Sequence, residues 1–365
     1  MARQMLKDSD KQFMQLMRIA LGNADRFDVS PTEKEWEDML LMSAKQSVVG
    51  VAFTGVERLP KDQMPPLDVI MDWSAVVEHI KRENLNLNEV CVKVCSIFKQ
   101  EKINACILKG QGMGALYDDP LRRSPGDIDV WMEGGKDKVV EYIMKNFPNA
   151  KKPGPGGHHI TALLKGSIDM EVHYRPAELF NPFHENAMNK WFKSIEFQQW
   201  GNMLATPCIA VPTKEFDLFF VLAHLFLHWT VDGCGLKQIV DYYYLLKAAY
   251  NNNREGMDNA YRKIVDLGLG NFAAAMMYVF NKYFGMEERM LLCPPDKVKG
   301  EILIADIMKI GTVSTATLIN ERNIVKFGRR WCRMWRIITL APTEIPWLLP
   351  KNIISWVNRK IQKGE

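Results

Sequence analysis

The apolar residues of this 365-residue chain change their spacing twice, and no other feature restricts the fold as much. In the first hundred residues or so they recur at helical intervals. Trp36, Met39, Leu40, Met42, Val48 and Val49 form one series, while Val90, Val94, Ile97 and Phe98 fall at i, i+4, i+7 and i+8. Short runs bounded by Gly and Pro then take over, at 103–108, 127–132, 159–164 and 167–174, as buried or half-buried strands require. Past Pro212 helical spacing returns, through 213–229, 236–250 and 257–312. The expected fold class is α+β, a small mixed sheet flanked by N- and C-terminal helical segments. Its divisions are a helical region over 1–88, an α/β core over 89–212, a helical domain over 213–320 and a basic, Trp-rich tail over 321–365.

Local signals fill in this outline. Ser30-Pro31-Thr32-Glu33 has the capping-box form with Pro at the first helical position, so a helix is predicted to start at Ser30. Another covers 67–100, with an interruption expected near Asn84 to Asn88. A short helix over 113–117 must end before Pro120, and 135–147 is amphipathic. The runs on either side of Lys165-Gly166 are spaced as a hairpin.

Composition narrows the class. With 47% hydrophobic and 25% charged residues the chain belongs with ordinary folded proteins rather than disordered ones. Its seven cysteines are odd in number, scattered and free of any CxxC pair, which predicts buried free thiols in a reducing compartment. The first twenty residues lack a continuous apolar stretch, so no signal peptide is expected, and no uncharged apolar run reaches the ~18 residues of a membrane span. A cytoplasmic protein is the expectation. Net charge is +4, but 321–365 alone carries ten Lys/Arg against three Asp/Glu, leaving the remainder slightly acidic.

The chemistry concentrates in the strand-like runs. In Asp127-Ile128-Asp129 alternation along a strand would point both carboxylates the same way, with Cα atoms roughly 6.5 to 7 Å apart. Upstream lies the glycine-rich turn Lys109-Gly110-Gln111-Gly112-Met113-Gly114, leading into a helix N-terminus whose N–H groups can cradle phosphate. Downstream, Asp169, Glu171 and His173 alternate on one face. Three carboxylates on neighbouring strands suit two divalent ions ~3.5 to 4 Å apart, as used in phosphoryl-type displacement. Magnesium is the natural ion for such oxygen ligands, with manganese as the alternative.

Taken in order, Ile107-Leu108-Lys109-Gly110, Ala115-Leu116-Tyr117, Pro120, Arg123, Asp127-Ile128-Asp129 and Glu171-Val172-His173-Tyr174-Arg175 resemble an uncharacterised bacterial group of the DNA polymerase beta-like nucleotidyltransferase superfamily. The resemblance covers residues 103–176. It extends into the helices at 216–246 through His228 and Gly235-Leu236-x-x-Ile239-Val240-Asp241. It implies a nucleotidyltransferase core that transfers a nucleoside monophosphate from a nucleoside triphosphate to an acceptor and releases pyrophosphate. It also implies that Asp127 and Asp129 hold the metals, with Glu171 as the third carboxylate, and that Gly110 and Gln111 touch the nucleotide phosphates. Gln111 departs from the Ser or Gly usual at its position.

Several assignments stay open at this level. Asp169 competes with Glu171 for the third carboxylate; Arg123, with Arg122 beside it, is the candidate for neutralising phosphate through its planar fork of donors. Lys109 either reaches a phosphate or flanks the strand end. His173 is a supporting partner of the ligands or a plain strand-face histidine. His224 and His228 lie at i and i+4, but without the Glu of HExxH they read as packing against the core. His158-His159 reads as a loop with incidental histidines or as a substrate contact. A dinucleotide fingerprint over Gly110-x-Gly112-x-x-Ala115 fails, because Pro120, Pro125 and Gly126 leave no room for a crossover helix. In the tail, Arg329, Arg330, Arg333 and Arg336 are interleaved with Trp331, Met334 and Trp335, and Trp347 and Trp356 follow. This is a pattern for wrapping the protein with tryptophans inward and arginines outward, or for peripheral contact with a membrane or nucleic acid. Alternative to catalysis is a nucleotide-binding or assembly module that keeps the same fold.

Overall fold

The structure, a computed structural model, describes residues 6–350 except 155–156, 165–167, 232, 253, 312–332 and 349. Four helices come first: α1 (Asp8–Ala20), α2 (Glu33–Lys45), α3 (Val49–Arg58) and α4 (Leu67–Gln100). A four-stranded sheet follows, made of β1 (Ala105–Ile107), β2 (Ile128–Met132), β3 (His159–Leu164) and β4 (Ile168–His173), with α5 (Gln111–Gly114) and α6 (Gly135–Asn146) in its connections. The chain closes with α7 (Pro182–Ile195), a two-stranded ribbon of β5 (Met203–Leu204) and β6 (Ile209–Ala210), and α8 (Lys214–Val231), α9 (Leu236–Asn252), α10 (Arg254–Asp266), α11 (Gly270–Lys282) and α12 (Lys297–Ile310). The α+β class with a small mixed sheet between helical segments is as expected. Among the described residues no helix is long and apolar enough to cross a membrane.

Sheet order is β1-β2-β4-β3, with β2 and β4 parallel and the outer pairs antiparallel. Alternation then divides the strand residues between two faces. One face carries Ile107, Ile128, Val130, Met132, Ile160, Ala162, Met170 and Val172, which pack on α4 and α6 through Leu87, Val94, Phe98, Val139 and Ile143. The other carries Cys106 and Trp131, which belong to a larger core shared by the N-terminal helices and α7 to α12. Trp131 stacks on Phe216 of α8 at 5.3 Å between centroids. Asp129, Glu171 and His173 share Trp131's face, so the polar residues look toward α8 rather than into the α4–α6 core.

α4 joins the two cores. Its first half supplies Val69, Trp73, Val77 and Ile80 to the larger one, its second half Leu87, Cys91, Val94 and Phe98 to the smaller. The expected break near Asn84 to Asn88 is absent; α4 runs unbroken for 34 residues. The weak helix propensity of asparagine is offset by tertiary bonds. Asn84 Nδ2 donates to the carbonyls of Ile80 (3.1 Å), Leu121 (3.2 Å) and Arg123 (2.7 Å), and Asn88 Oδ1 accepts from Gln111. The start of α2 also shifts. Thr32, not Ser30, is the N-cap: it satisfies the same pattern with Glu35, whose Nα donates to Thr32 Oγ1 while its carboxylate accepts from Thr32 N at 2.7 Å.

The described part of the tail reverses the expected orientation. Arg333 and Arg336 turn inward onto the buried carboxylate of Asp306, Arg333 through bonds of 2.8 and 3.0 Å, while Trp335 and Trp347 are 55% and 37% exposed. Arg333 also donates to the Thr230 carbonyl at 2.8 Å and lies 5.4 Å above the Trp229 ring. A buried carboxylate at Asp306 demands cations, and the tail supplies them. Arg329, Arg330, Trp331 and Trp356 lie outside the described residues. The six described cysteines are free thiols, with Cys208 exposed, Cys95 half-buried and the rest buried.

Asp217, in the first turn of α8, is buried with Oδ1 lacking a hydrogen-bond partner. Burial pushes its carboxyl well above the ordinary range, Lys214 only partly opposing it. The folded state therefore binds this proton more tightly than the unfolded chain, and stability falls as pH rises past the unfolded pKa of about 3.9. Asp217→Asn should raise the urea midpoint at pH ~8 by the equivalent of about 1 kcal/mol or more, the gain shrinking toward pH ~4. Equal midpoint shifts at both pH values would contradict this.

Candidate active site on the sheet face toward α8

Asp129 lies at the centre. It is 1% exposed, and its Oδ1 accepts from Lys109 Nζ at 2.9 Å and from His173 Nε2 at 2.9 Å. Burial alone would raise its pKa, but Lys109 and the His173 hydrogen bond hold it well below the usual carboxylate range. Strand geometry makes these contacts: β1 and β2 pair antiparallel, with Leu108 N donating to the Asp129 carbonyl at 2.9 Å, so the next residue, Lys109, leaves the sheet beside Asp129. Lys109 Nζ also donates to His224 Nε2 of α8 at 2.6 Å. Burial and then the Lys109 charge keep His224 neutral, its pKa well below the ordinary value.

Gly110 sets the turn. Its φ of +60° is in the left-handed region, and a side chain there would be strained although the nearest atom, the Asp127 carbonyl, leaves ordinary space at 3.5 Å. α5 after it is one turn of four residues, so it offers little of the dipole expected at a helix N-terminus. Gln111 is buried, its amide donating to Asn88 Oδ1 at 2.5 Å and the Asn84 carbonyl at 3.3 Å, so it faces α4.

Glu171 is the β4 residue in register with Asp129 and is half-buried. Burial, then the charges of Asp129 and Asp127, push its carboxyl up to about 7 against the pull of Lys109. Its Oε2 is 3.7 Å from His173 Nε2 and its Oε1 3.6 Å from His159 Nε2. Asp129, Glu171 and His173 each offer a ligand atom within 4.8 Å of the others, and their oxygen and nitrogen donors fit a divalent ion. Asp127, just before β2, and Asp169, one pleat from Glu171, are both exposed and fall outside that group.

Arg123 is placed differently. It is buried and ion-paired with Asp241 of α9, Nε to Oδ1 at 2.8 Å and Nη2 to Oδ2 at 2.9 Å, and Asp241 also accepts from Tyr117 Oη at 2.6 Å. His228 stands behind His224, rings 4.3 Å apart. Two neighbours had no strong sequence signal. Lys237 of α9 donates to the Pro125 carbonyl at 3.1 Å, over the loop leading to Asp127, and its surroundings push its amine down to about 8, desolvation first and then the Arg123 charge. His159 faces His173 directly across β3 and β4, and burial takes it down to about 4, with His173 adding to the shift. Only the strand register, which no local pattern states, brings His159 here.

A protein family described as uncharacterised nucleotidyltransferase matches residues 32–285. A crystal structure of an antigenic nucleotidyltransferase-like protein from Paracoccidioides brasiliensis is similar at 16% identity, covering 50% of this chain and 89% of that one, with a TM-score of 0.29. No curated protein matches.

The buried Arg123–Asp241 pair supports the loop that carries Asp127. Asp241→Ala would strand a buried guanidinium and should cost about 3–5 kcal/mol in urea unfolding. Replacing both partners with apolar residues, Arg123→Met with Asp241→Leu, should recover much of that loss. A single variant as stable as the parent protein would rule out this role for the pair.

Proposed function

Since the chain belongs to the uncharacterised nucleotidyltransferase family, we propose that it moves a nucleoside monophosphate from a nucleoside triphosphate to a hydroxyl or phosphate acceptor, with release of pyrophosphate. We place it in the DNA polymerase beta-like superfamily, with Asp127, Asp129 and Glu171 holding magnesium, or manganese in its place. The supporting observation is the register of β2 and β4, which sets Asp129 beside Glu171 next to the Gly110 turn. When bound, the cation neutralises charge on the phosphates and on the oxygens entering and leaving phosphorus.

The chain's own groups do the rest. Lys109 keeps the buried Asp129 ionised and brings a second positive charge to the place where phosphates would lie. Lys237 adds a third from the far side of the Asp127 loop. Glu171, as the third carboxylate, takes the proton of an acceptor hydroxyl. The acceptor oxygen bonds to the α-phosphorus, the bond from that phosphorus to the bridging oxygen breaks, and pyrophosphate leaves with its electrons. Arg123, expected to neutralise phosphate, is instead committed to Asp241 and shapes the loop. Asp169, His173 and His228 serve as supporting partners.

One observation favours a second reading. Asp129 Oδ1 already has a cation in Lys109 and a donor in His173, and the Gln111 amide is committed to Asn88. A chain so satisfied internally could serve as a non-catalytic nucleotide-binding or assembly module.

Asp127→Asn is the decisive variant, because an exposed side chain can change without disturbing the core. Magnesium-dependent pyrophosphate release from labelled nucleoside triphosphates should fall by about a hundredfold or more, as expected for losing several kcal/mol of charge stabilisation. Unchanged turnover in that variant would sink the assignment. Calorimetry with ATP or GTP, with and without magnesium, separates the two readings: catalysis requires binding that depends on the metal.

A further inference from the structure

Beside the carboxylates lies a group of histidines of which nucleotidyl transfer uses only His173, as the partner of Asp129. The rings of His158, His159 and His173 stand 4.8 to 5.2 Å apart, centroid to centroid, and one ring nitrogen of each is within 4.8 Å of the other two. Packing three imidazoles together has a cost. His173 is fully buried, and its Nδ1 has no hydrogen-bond partner; the buried Nδ1 of His159 has none either. Each such orphan is destabilising if nothing fills it.

The pairing of His173 explains what that nitrogen is for. His173 directs Nε2 at the Asp129 carboxylate, an acceptor, across 2.9 Å. Nε2 therefore carries the proton and Nδ1 presents a lone pair. A carboxylate bonded to one nitrogen of an imidazole whose other nitrogen is free is the arrangement that orients histidine ligands in metal sites. The scaffold is stiff as well. His159 and His173 are directly opposed in the β3–β4 ladder. The His158 carbonyl accepts from Tyr174 N at 3.1 Å and Arg175 N at 3.3 Å, and Tyr174 Oη donates to the Gly157 carbonyl at 2.6 Å.

We propose that His158, His159 and His173 form a site for a nitrogen-preferring divalent cation of the zinc class, adjoining the oxygen ligands on which magnesium would sit and sharing Glu171 with them. Three imidazole nitrogens favour zinc, cobalt or iron(II) over magnesium, which prefers oxygen. Zinc–nitrogen distances of about 2.0–2.1 Å require ligand atoms roughly 3.3 Å apart, so small ring rotations within the cluster would close the site. Glu171, with Oε1 3.6 Å from His159 Nε2, is the adjacent anion that can complete the coordination. The cation would pin the segment before β3 to the end of β4. The inference does not depend on the nucleotidyltransferase reading, since it concerns a cation bound without nucleotide.

Cobalt(II) is the probe, added to metal-free full-length protein in the absence of nucleotide and followed by visible absorption and calorimetry. Support requires one cobalt per chain with a ligand-field band, a band that excess zinc removes and excess magnesium leaves in place, and its loss in both His158→Ala and His159→Gln. Asp127→Asn, which should cripple transfer, should keep the cobalt band, so failure of one reading is distinguishable from failure of the other. Absence of the band in the unmodified protein, its displacement by magnesium, or its survival in either histidine variant would overturn the proposal. Because the first two outcomes are read on the unmodified protein, they hold even if a variant fails to fold.

Discussion

Burying a carboxylate at position 129 is the constraint around which the rest of this molecule is arranged. An ionised group that is 1% exposed is tolerable only with a cation and hydrogen-bond donors at contact distance. The structure meets that need from three directions. Lys109 arrives at the end of β1, His173 from β4, and His224 of α8 braces Lys109 from above. A positive φ at Gly110 follows, because the chain must turn sharply once Lys109 has been delivered. The polar cluster is thus a set of dependencies, and removing any one member leaves another buried group without its partner.

The sheet makes this affordable by keeping polarity to a single face. On the side of α4 and α6, every inward strand residue is apolar. On the other side Cys106 and Trp131 continue the core while the ends of β2 and β4 open onto the polar cluster. A one-residue slip between β2 and β4 would bring Met170 or Val172 opposite Asp129 and turn Glu171 into the apolar layer, so the two hydrophobic sets fix the register on which the chemistry depends.

Much of this could be read in the sequence, for identifiable reasons. The period changes located the strands to within a few residues, and Asp127-Ile128-Asp129 with Glu171-Val172-His173 marked the face of interest, because both signals are local. What escaped were pairings between distant residues. Asp241 claims Arg123 from 118 positions away, Asp306 claims Arg333, and His159 meets His173 only through the hairpin register. The expected break at Asn84 failed to appear for the same reason, since carbonyls that stabilise it come from Leu121 and Arg123. Local propensity is a weak prior wherever tertiary bonds are available.

The unbroken α4 has a further consequence. At a rise of about 1.5 Å per residue, its 34 residues form a strut roughly 50 Å long, anchored at one end by Trp73 Nε1 on the Val49 carbonyl and at the other by Phe98 under the sheet. Near its middle, Asn84 grips the loop that leads to Asp127, and Asn88 grips Gln111. The helix therefore acts as a ruler, holding the N-terminal helices at a set distance from the loop that carries Asp127.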